Sequence, residues 1–266
     1  MHWTKMLAVG ALSASLAACS TSPTGRTQFT MMPDDELNQM GAQSFAQYQQ
    51  QLPTVGGATQ AYVQCVTNAI VTALPPGSPQ YDWQVRVFRD DSANAFALPG
   101  GYVGVHTGLL DIADNQDQLA AVIGHEIGHV LARHANERMS TQSVTNIGLS
   151  VASSAAGLQG EQAEMINAAL GMGAQYGILL PFSRSHESEA DVIGLNLMAN
   201  AGFNPQASVD LWRNMRASGG GGEPPAWMST HPSSGQRIAS LESEMSRAMP
   251  KYRRARQAGR RPNCQR

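Results

Sequence analysis

The segment that most limits the fold runs from about Asp117 to Met139. Apolar side chains recur there at helical spacing, at Leu119, Val122, Ile123, Ile127, Val130 and Leu131. Leu119-Ala120-Ala121-Val122-Ile123 on one side and Val130-Leu131 on the other make this a helix that must be buried. At its centre stand His125, Glu126 and His129, and burial makes such groups costly unless something partners them. The order His125-Glu126-Ile127-Gly128-His129 places the two imidazoles four residues apart, hence on one helix face.

Two imidazoles on one face can converge on a single ion. Glu126 projects beside that face and reaches the ion's water without occupying a coordination position. This H-E-x-x-H pattern matches the zinc-peptidase arrangement, in which the metal acidifies a water and the carboxylate takes its proton. A zinc site with one position open needs a third protein ligand. His129 is followed by Val-Leu-Ala-Arg, so a G-x-x-H continuation is absent, and His134 lies about 140° further round the helix. His134 is therefore expected at the surface. Ser185-His186-Glu187-Ser188-Glu189-Ala190-Asp191 offers better candidates. Glu187 and Asp191 are four apart, so one face can present a ligand and, in Asp191, an acceptor for the free ring N–H of a zinc histidine.

The remaining sequence predicts one mostly helical domain around a few strands. Helices are expected over Asp34–Gln51, Ala58–Leu74 and Glu187–Ala201, with a restart at Asn204-Pro205 and a last helix over Ser234–Met249. Trp83–Arg89 alternates with period two, and Asn94–Leu98 and Tyr102–Thr107 are further extended runs. Val144–Leu180 is rich in Gly, Ala and Ser and reads as close-packed or mobile helices, because no stretch in it approaches 18 apolar residues. This stretch, the glycine loop Gly219–Gly222, or both are expected to cover the cleft at rest.

The opening residues read as an address. Lys5 precedes the short apolar run Met6–Leu16, which is too short to span a bilayer. Leu16-Ala17-Ala18-Cys19 resembles a bacterial lipobox, which implies cleavage before Cys19 and lipid attachment there. Ser20 resembles the class sent on to the outer membrane. The expected layout is a signal peptide over 1–18, a lipidated Cys19 with a flexible tether over 19–30, a single peptidase domain over 31–250 and an irregular basic tail over 251–266. Cys65 and Cys264 are the two remaining cysteines of the three, and an oxidising compartment permits a disulfide between them or two unpaired thiols. A net charge of -2 provides no general attraction to nucleic acid, and no nucleic-acid partner is expected.

H-E-x-x-H followed on a later helix by E-x-x-A-D is the gluzincin pattern. With Asn94-Ala95-Phe96-Ala97-Leu98-Pro99-Gly100-Gly101 before it and Thr230-His231-Pro232 after it, the chain resembles the HtpX and CAAX-prenyl-protease family. The closest resemblance is to its soluble bacterial lipoprotein peptidases, and the match spans Asn94 to Arg237. It implies an α+β zincin-like fold, mostly helical, with a small mixed sheet whose edge strand lies over the H-E-x-x-H helix. It also implies one zinc per chain on His125, His129 and Glu187. Glu189 is the rival third ligand, but its helix phase differs from that of Asp191. His186, next to the ligand, is expected at the surface.

By the same resemblance, Asn94, Ala95, Phe96, Ala97 and Leu98 bind substrate as an added strand. His231 either donates to the oxyanion or closes over the metal as a reversible fourth ligand. Arg237 orients Glu187 or Asp191, or is only a surface helix cap. The implied activity is that of a zinc endopeptidase acting on unfolded or misassembled envelope proteins, anchored at the periplasmic face of the outer membrane. Two other classes stay open: a chaperone-like binding protein with its zinc kept closed, and a zinc amidase acting on the cell wall.

Overall fold

A computed structural model describes residues 19–155, 182–218, 226–231 and 237–266, with the side chains of 19 and 148–155 excepted. The expected leader 1–18, residues 156–180 of the small-residue stretch and the glycine loop Gly219–Gly222 lie outside the described residues. The chain divides into two compact units, one formed by 35–132 with 181–266, the other by 1–34 with 133–180.

The larger unit is built on a four-stranded mixed sheet. Its strands are β3 (Thr54–Val55), β4 (Gln84–Phe88), β5 (Ala95–Leu98) and β6 (Tyr102–His106), in the order β3-β4-β6-β5. β4 and β6 are parallel, and the β3–β4 and β5–β6 pairs are antiparallel. Alternation sends Val85, Val87, Val103, Val105 and Ala95 into the core. On the opposite face, Phe45 and Tyr48 of α1 (Asp34–Gln51) meet Phe88, Phe96 and Tyr102. Gly104 makes room for this cluster, since a Cβ there would come within 2.2 Å of the Phe96 ring.

The core face of the sheet is covered by helices. α2 (Gly57–Thr72) and α4 (Gln116–Leu131) pack against each other, and α4 also packs on β5. The short α3 (Thr107–Leu110) follows β6 directly. α6 (Arg184–Ala201) and α7 (Ala207–Ser218) close over α4 from its other side. This enclosure explains why α4 is apolar nearly all round: every residue from Gln118 to Val130 is buried. Asn115 caps it, accepting from the N–H groups of Asp117 and Gln118. The observed fold is thus α+β, mostly helical with a small mixed sheet.

The helix expected to reach Met139 stops at Leu131. Arg133 adopts a left-handed backbone with φ of 54°, and a second helix, α5 (His134–Ala155), begins at once. In a non-glycine residue that conformation costs about 1–2 kcal/mol, and nothing in its neighbours' identities announces it. His134, expected at the surface, is fully buried after this break.

The smaller unit contains α5 and the hairpin of β1 (Cys19–Thr21) and β2 (Thr27–Phe29), with Cys19 paired to Phe29. Residues 19–30, read above as a tether, are therefore ordered. Their Thr-Gly sequence makes the turn, with Gly25 at φ 90°, rather than a linker. Arg26 grips the Glu137 carboxylate with both terminal nitrogens at 2.7 and 2.6 Å, and Gln28 adds a contact at 3.1 Å. Asp34 and Arg133 form an ion pair. Among the described residues no helix is long and apolar enough to cross a membrane.

The C-terminal residues also depart from expectation. α9 (Arg237–Gln257) runs straight through Pro250, well into the segment read as irregular. An interior proline costs about 3 kcal/mol. Ala248 and Ala255 are buried beyond either side of it, Tyr252 packs on the core, and Lys251 donates to Asn196 at 2.8 Å. Packing outweighs the lost hydrogen bond. After the helix, Cys264 is joined by a disulfide to Cys65 of α2, with Cα atoms 5.7 Å apart. Gln116 fixes the same strand of tail through Pro262 and Cys264.

Candidate metal centre

Two helices supply the polar cluster, and glycines let them approach. A Cβ on Gly194 would come within 2.6 Å of the His125 backbone nitrogen, and one on Gly128 within 3.0 Å of the Ala190 carbonyl. α4 and α6 therefore meet nearly backbone to backbone. That contact sets His125 and His129 of one against Glu187 and Asp191 of the other. Ser183 caps α6 by accepting from the His186 N–H, which orients its first turn and Glu187 within it.

The site is closed from water, with His125, Glu126, His129, Glu187, His231 and Arg237 all buried. His125 Nε2 lies 3.0 Å from His129 Nε2 and 3.2 Å from His231 Nδ1. Glu187 Oε1 lies 3.1 Å from His231 Nδ1 and 3.4 Å from His129 Nε2, and Oε2 lies 3.5 Å from His125 Nε2. Donor atoms at about 2.05 Å from a tetrahedral ion would stand about 3.3 Å apart. The observed separations scatter around that value, and one ligand atom from each of the four residues lies within 4.8 Å of the others. Three imidazoles and a carboxylate make a donor set suited to zinc. The group can hold the ion, and zinc is the metal it fits.

The charges at the site follow from the same contacts. Burial would raise Glu187, but hydrogen bonds from His125, His129 and His231 hold its carboxyl far below the ordinary range, so it is an anion. Burial, together with the neighbouring His125 and His231, holds His129 well below the ordinary imidazole range. Burial and Arg237 push His125 down, yet the Asp191 and Glu187 carboxylates outweigh them and raise it to about 9. Asp191 Oδ1 lies 2.9 Å from His125 Nδ1, the contact that aims Nε2 at the metal group. Burial would raise Asp191 too, but Arg237 and His125 bring it below its usual value.

Arg237 sits beneath the cluster rather than at the surface. It donates to Glu187 Oε2 at 2.7 Å and to Asp191 Oδ1 at 2.7 Å, bridging both carboxylates. Its guanidinium lies 4.1 Å from the Trp212 ring centroid, so flat stacking and ion pairing hold it together. His186, expected at the surface, is buried beside Phe182. Glu189 is buried but stands outside the group of metal-ligating atoms.

Asn94 to Leu98 occupies the end of the sheet order, as β5 and the residue before it. The His106 N–H donates to the Asn94 carbonyl, so Asn94, Phe96 and Leu98 direct their backbone groups at β6. The backbone groups of Ala95 and Ala97 point the other way. Phe96 stacks on Tyr48 at 4.4 Å, on the sheet face away from the core.

Two aromatic residues of the site were not singled out in the sequence. Trp227, in the short helix α8 (Ala226–Thr230), donates its indole N–H to Glu126 Oε1 at 2.7 Å. Phe182 stacks on His129 at 3.9 Å between ring centroids. The available signal for Trp227 was its chemistry: a buried indole needs an acceptor, and it stands four residues before His231.

The sequence is also similar to known proteins. The profile of Peptidase family M48 matches residues 57–245, well over half of the chain. The mitochondrial metalloendopeptidase OMA1 of Schizosaccharomyces pombe is 38% identical over 194 residues, covering 73% of this chain and 55% of that protein. The beta-barrel assembly-enhancing protease of Yersinia pestis is 30% identical over 200 residues, 71% of this chain and 39% of that protein. Its Escherichia coli counterpart is 31% identical over 175 residues, 62% and 34% of the two chains. The chain spans about half or less of the length of these curated relatives. Since the matched region contains the H-E-x-x-H helix, the Glu187 helix and His231 alike, the chain belongs to peptidase family M48, a family of zinc metallopeptidases.

Proposed function

We propose that the chain is a zinc endopeptidase that cleaves unfolded or misassembled proteins at the periplasmic face of the outer membrane. Within its family we assign it to the soluble bacterial lipoprotein branch of the HtpX and CAAX-prenyl-protease type. The observation that carries the activity is the convergence of His125, His129 and Glu187 with Glu126 beside them. His125, His129 and Glu187 would hold a zinc ion, which would supply Lewis acidity toward a carbonyl and a water acidic enough to react near neutral pH. Glu126 then takes the proton of the attacking water and returns it to the leaving amine. Asp191 and Arg237 hold the ligands in place. A peptide adding to β5 would pair with the outward backbone of Ala95 and Ala97, which an extended chain can do and a folded one cannot.

His231 Nδ1 lies among the ligand atoms, which favours its reading as a reversible fourth ligand over that of an oxyanion donor. A site closed in this way has to open before it works. Protein substrates are supported by the beta-barrel assembly-enhancing proteases among the relatives. Other relatives are mitochondrial by name, so the compartment is drawn from Leu16-Ala17-Ala18-Cys19 rather than from them.

The test is degradation of casein before and after chelation. Activity should disappear with the metal and return with added zinc. Casein bound but uncleaved would favour the chaperone-like class, and cleavage confined to cell-wall fragments would favour the amidase. The location has its own experiment: Cys19→Ser should lose the mass of the acyl chains and appear in the soluble periplasmic fraction. Unchanged membrane association in that variant would sink the anchor.

A further inference from the structure

Glu126 is the one acidic residue of α4's polar centre that takes no place among the metal-ligating atoms, and its orientation must come from elsewhere. The Trp227 indole N–H, only 1% exposed as a residue, donates to its Oε1 at 2.7 Å. His231 Nε2 lies 3.4 Å from the same oxygen, a longer contact than the indole's. Such a contact between an N–H and a buried carboxylate is short and directional.

The indole is itself held on every side. The Trp227 backbone N–H donates to the Ala93 carbonyl at 2.9 Å, two residues before β5 begins. At the other end of α8, the Phe182 N–H donates to the Thr230 carbonyl at 3.1 Å. The ring packs at 4.9 Å from His231 and 5.1 Å from Trp212, and meets His125 edge-on at 5.3 Å. One residue thus joins the strand segment leading into the sheet edge to the carboxylate beside the metal group. A peptide aligned on β5 and the group that moves its protons would share a single frame.

We propose that Trp227 is a positioning residue for Glu126, fixing through its indole N–H the carboxylate that serves as general base. The proposal rests on the reading of Glu126 given above. Without the N–H, the carboxylate gains rotational freedom, and misplacement of a base by a fraction of an ångström slows the chemistry without weakening the binding of an extended peptide.

Trp227→Phe keeps the ring stack and removes the donor. Zinc content and melting temperature should stay near wild type, while kcat on a flexible peptide falls about tenfold to a hundredfold, the usual range for a residue acting through another. KM should change by less than about twofold. In a Glu126→Gln background the same substitution should cost nothing further. Independently of turnover, the indole N–H resonance of Trp227, assigned against variants of Trp83 and Trp212, should move when Glu126→Gln removes the charge. An unmoved resonance, an unchanged or raised kcat in Trp227→Phe, or losses that multiply in the double variant would each overturn the proposal. Full turnover in Glu126→Gln alone would instead bring down the base assignment, and a moved resonance would then leave only a structural contact.

Discussion

Glu126→Gln should retain one zinc per chain and cleave casein about a hundredfold to ten-thousandfold more slowly than the wild type, the range for losing a general base. That corresponds to a barrier raised by about 3–5 kcal/mol. The metal should stay because the ligand atoms come from His125, His129, Glu187 and His231, and the glutamine adds or removes none of them. The fold should also stay, since the amide oxygen of glutamine can still accept from the Trp227 indole. What the amide cannot do is take a proton at neutral pH. Metal analysis of the purified variant beside a casein time course separates the two properties. A variant that loses zinc would make Glu126 a ligand or its support, and one that keeps full turnover would place the base on another residue.

The parts of this site that were legible in the sequence are the ones encoded over four residues. His125 with His129, and Glu187 with Asp191, each share a helix face by spacing alone, and the structure brings both pairs to one cluster. Gly124, Gly128 and Gly194 could not be assigned a role from either helix separately, because their function is to let one backbone approach the other. Trp227 was missed for the same reason. Its partner is 101 residues away, and no local periodicity records a hydrogen bond of that span. His134 was placed at the surface on helix phase and His186 as the neighbour of a ligand, yet tertiary packing buries both.

The fold shows a similar division. Strand β4 followed from alternation, β6 was read as an extended run, and the buried helix followed from its apolar flanks. The break at Arg133 and the continuation through Pro250 each oppose a local preference and persist because long-range contacts compensate. Thr24-Gly25 was read as part of a flexible link, but the same residues serve a hairpin turn once Glu137 holds Arg26 and Gln28.

Glu187→Ala should bind zinc more than about a hundredfold more weakly, a larger loss than the ten- to hundredfold typical when a ligand's supporting partner is removed. Two effects act in the same direction. The ligand set loses its only anion, the carboxylate that three imidazoles hold in its charged form. Arg237 loses one of its two carboxylates, so its guanidinium, already 3.0–3.2 Å from the His125 ring nitrogens, becomes a less compensated positive charge beside the metal position. Arg237 keeps Asp191, so the loss stays below the ~3–5 kcal/mol of a fully unpaired buried charge, but the variant should still melt earlier. Three imidazoles would remain, enough in number for a zinc site but with their mutual repulsion no longer offset by an anion. Glu187→Gln distinguishes the causes: it keeps an oxygen near the ligand position but not the charge, and should fall with the alanine variant if charge dominates. Zinc per chain after dialysis against a weak chelator is the measurement, with Glu126→Gln as the variant that should stay loaded. Full occupancy in Glu187→Ala would mean that His231 is a permanent ligand and Glu187 a partner of Arg237 only.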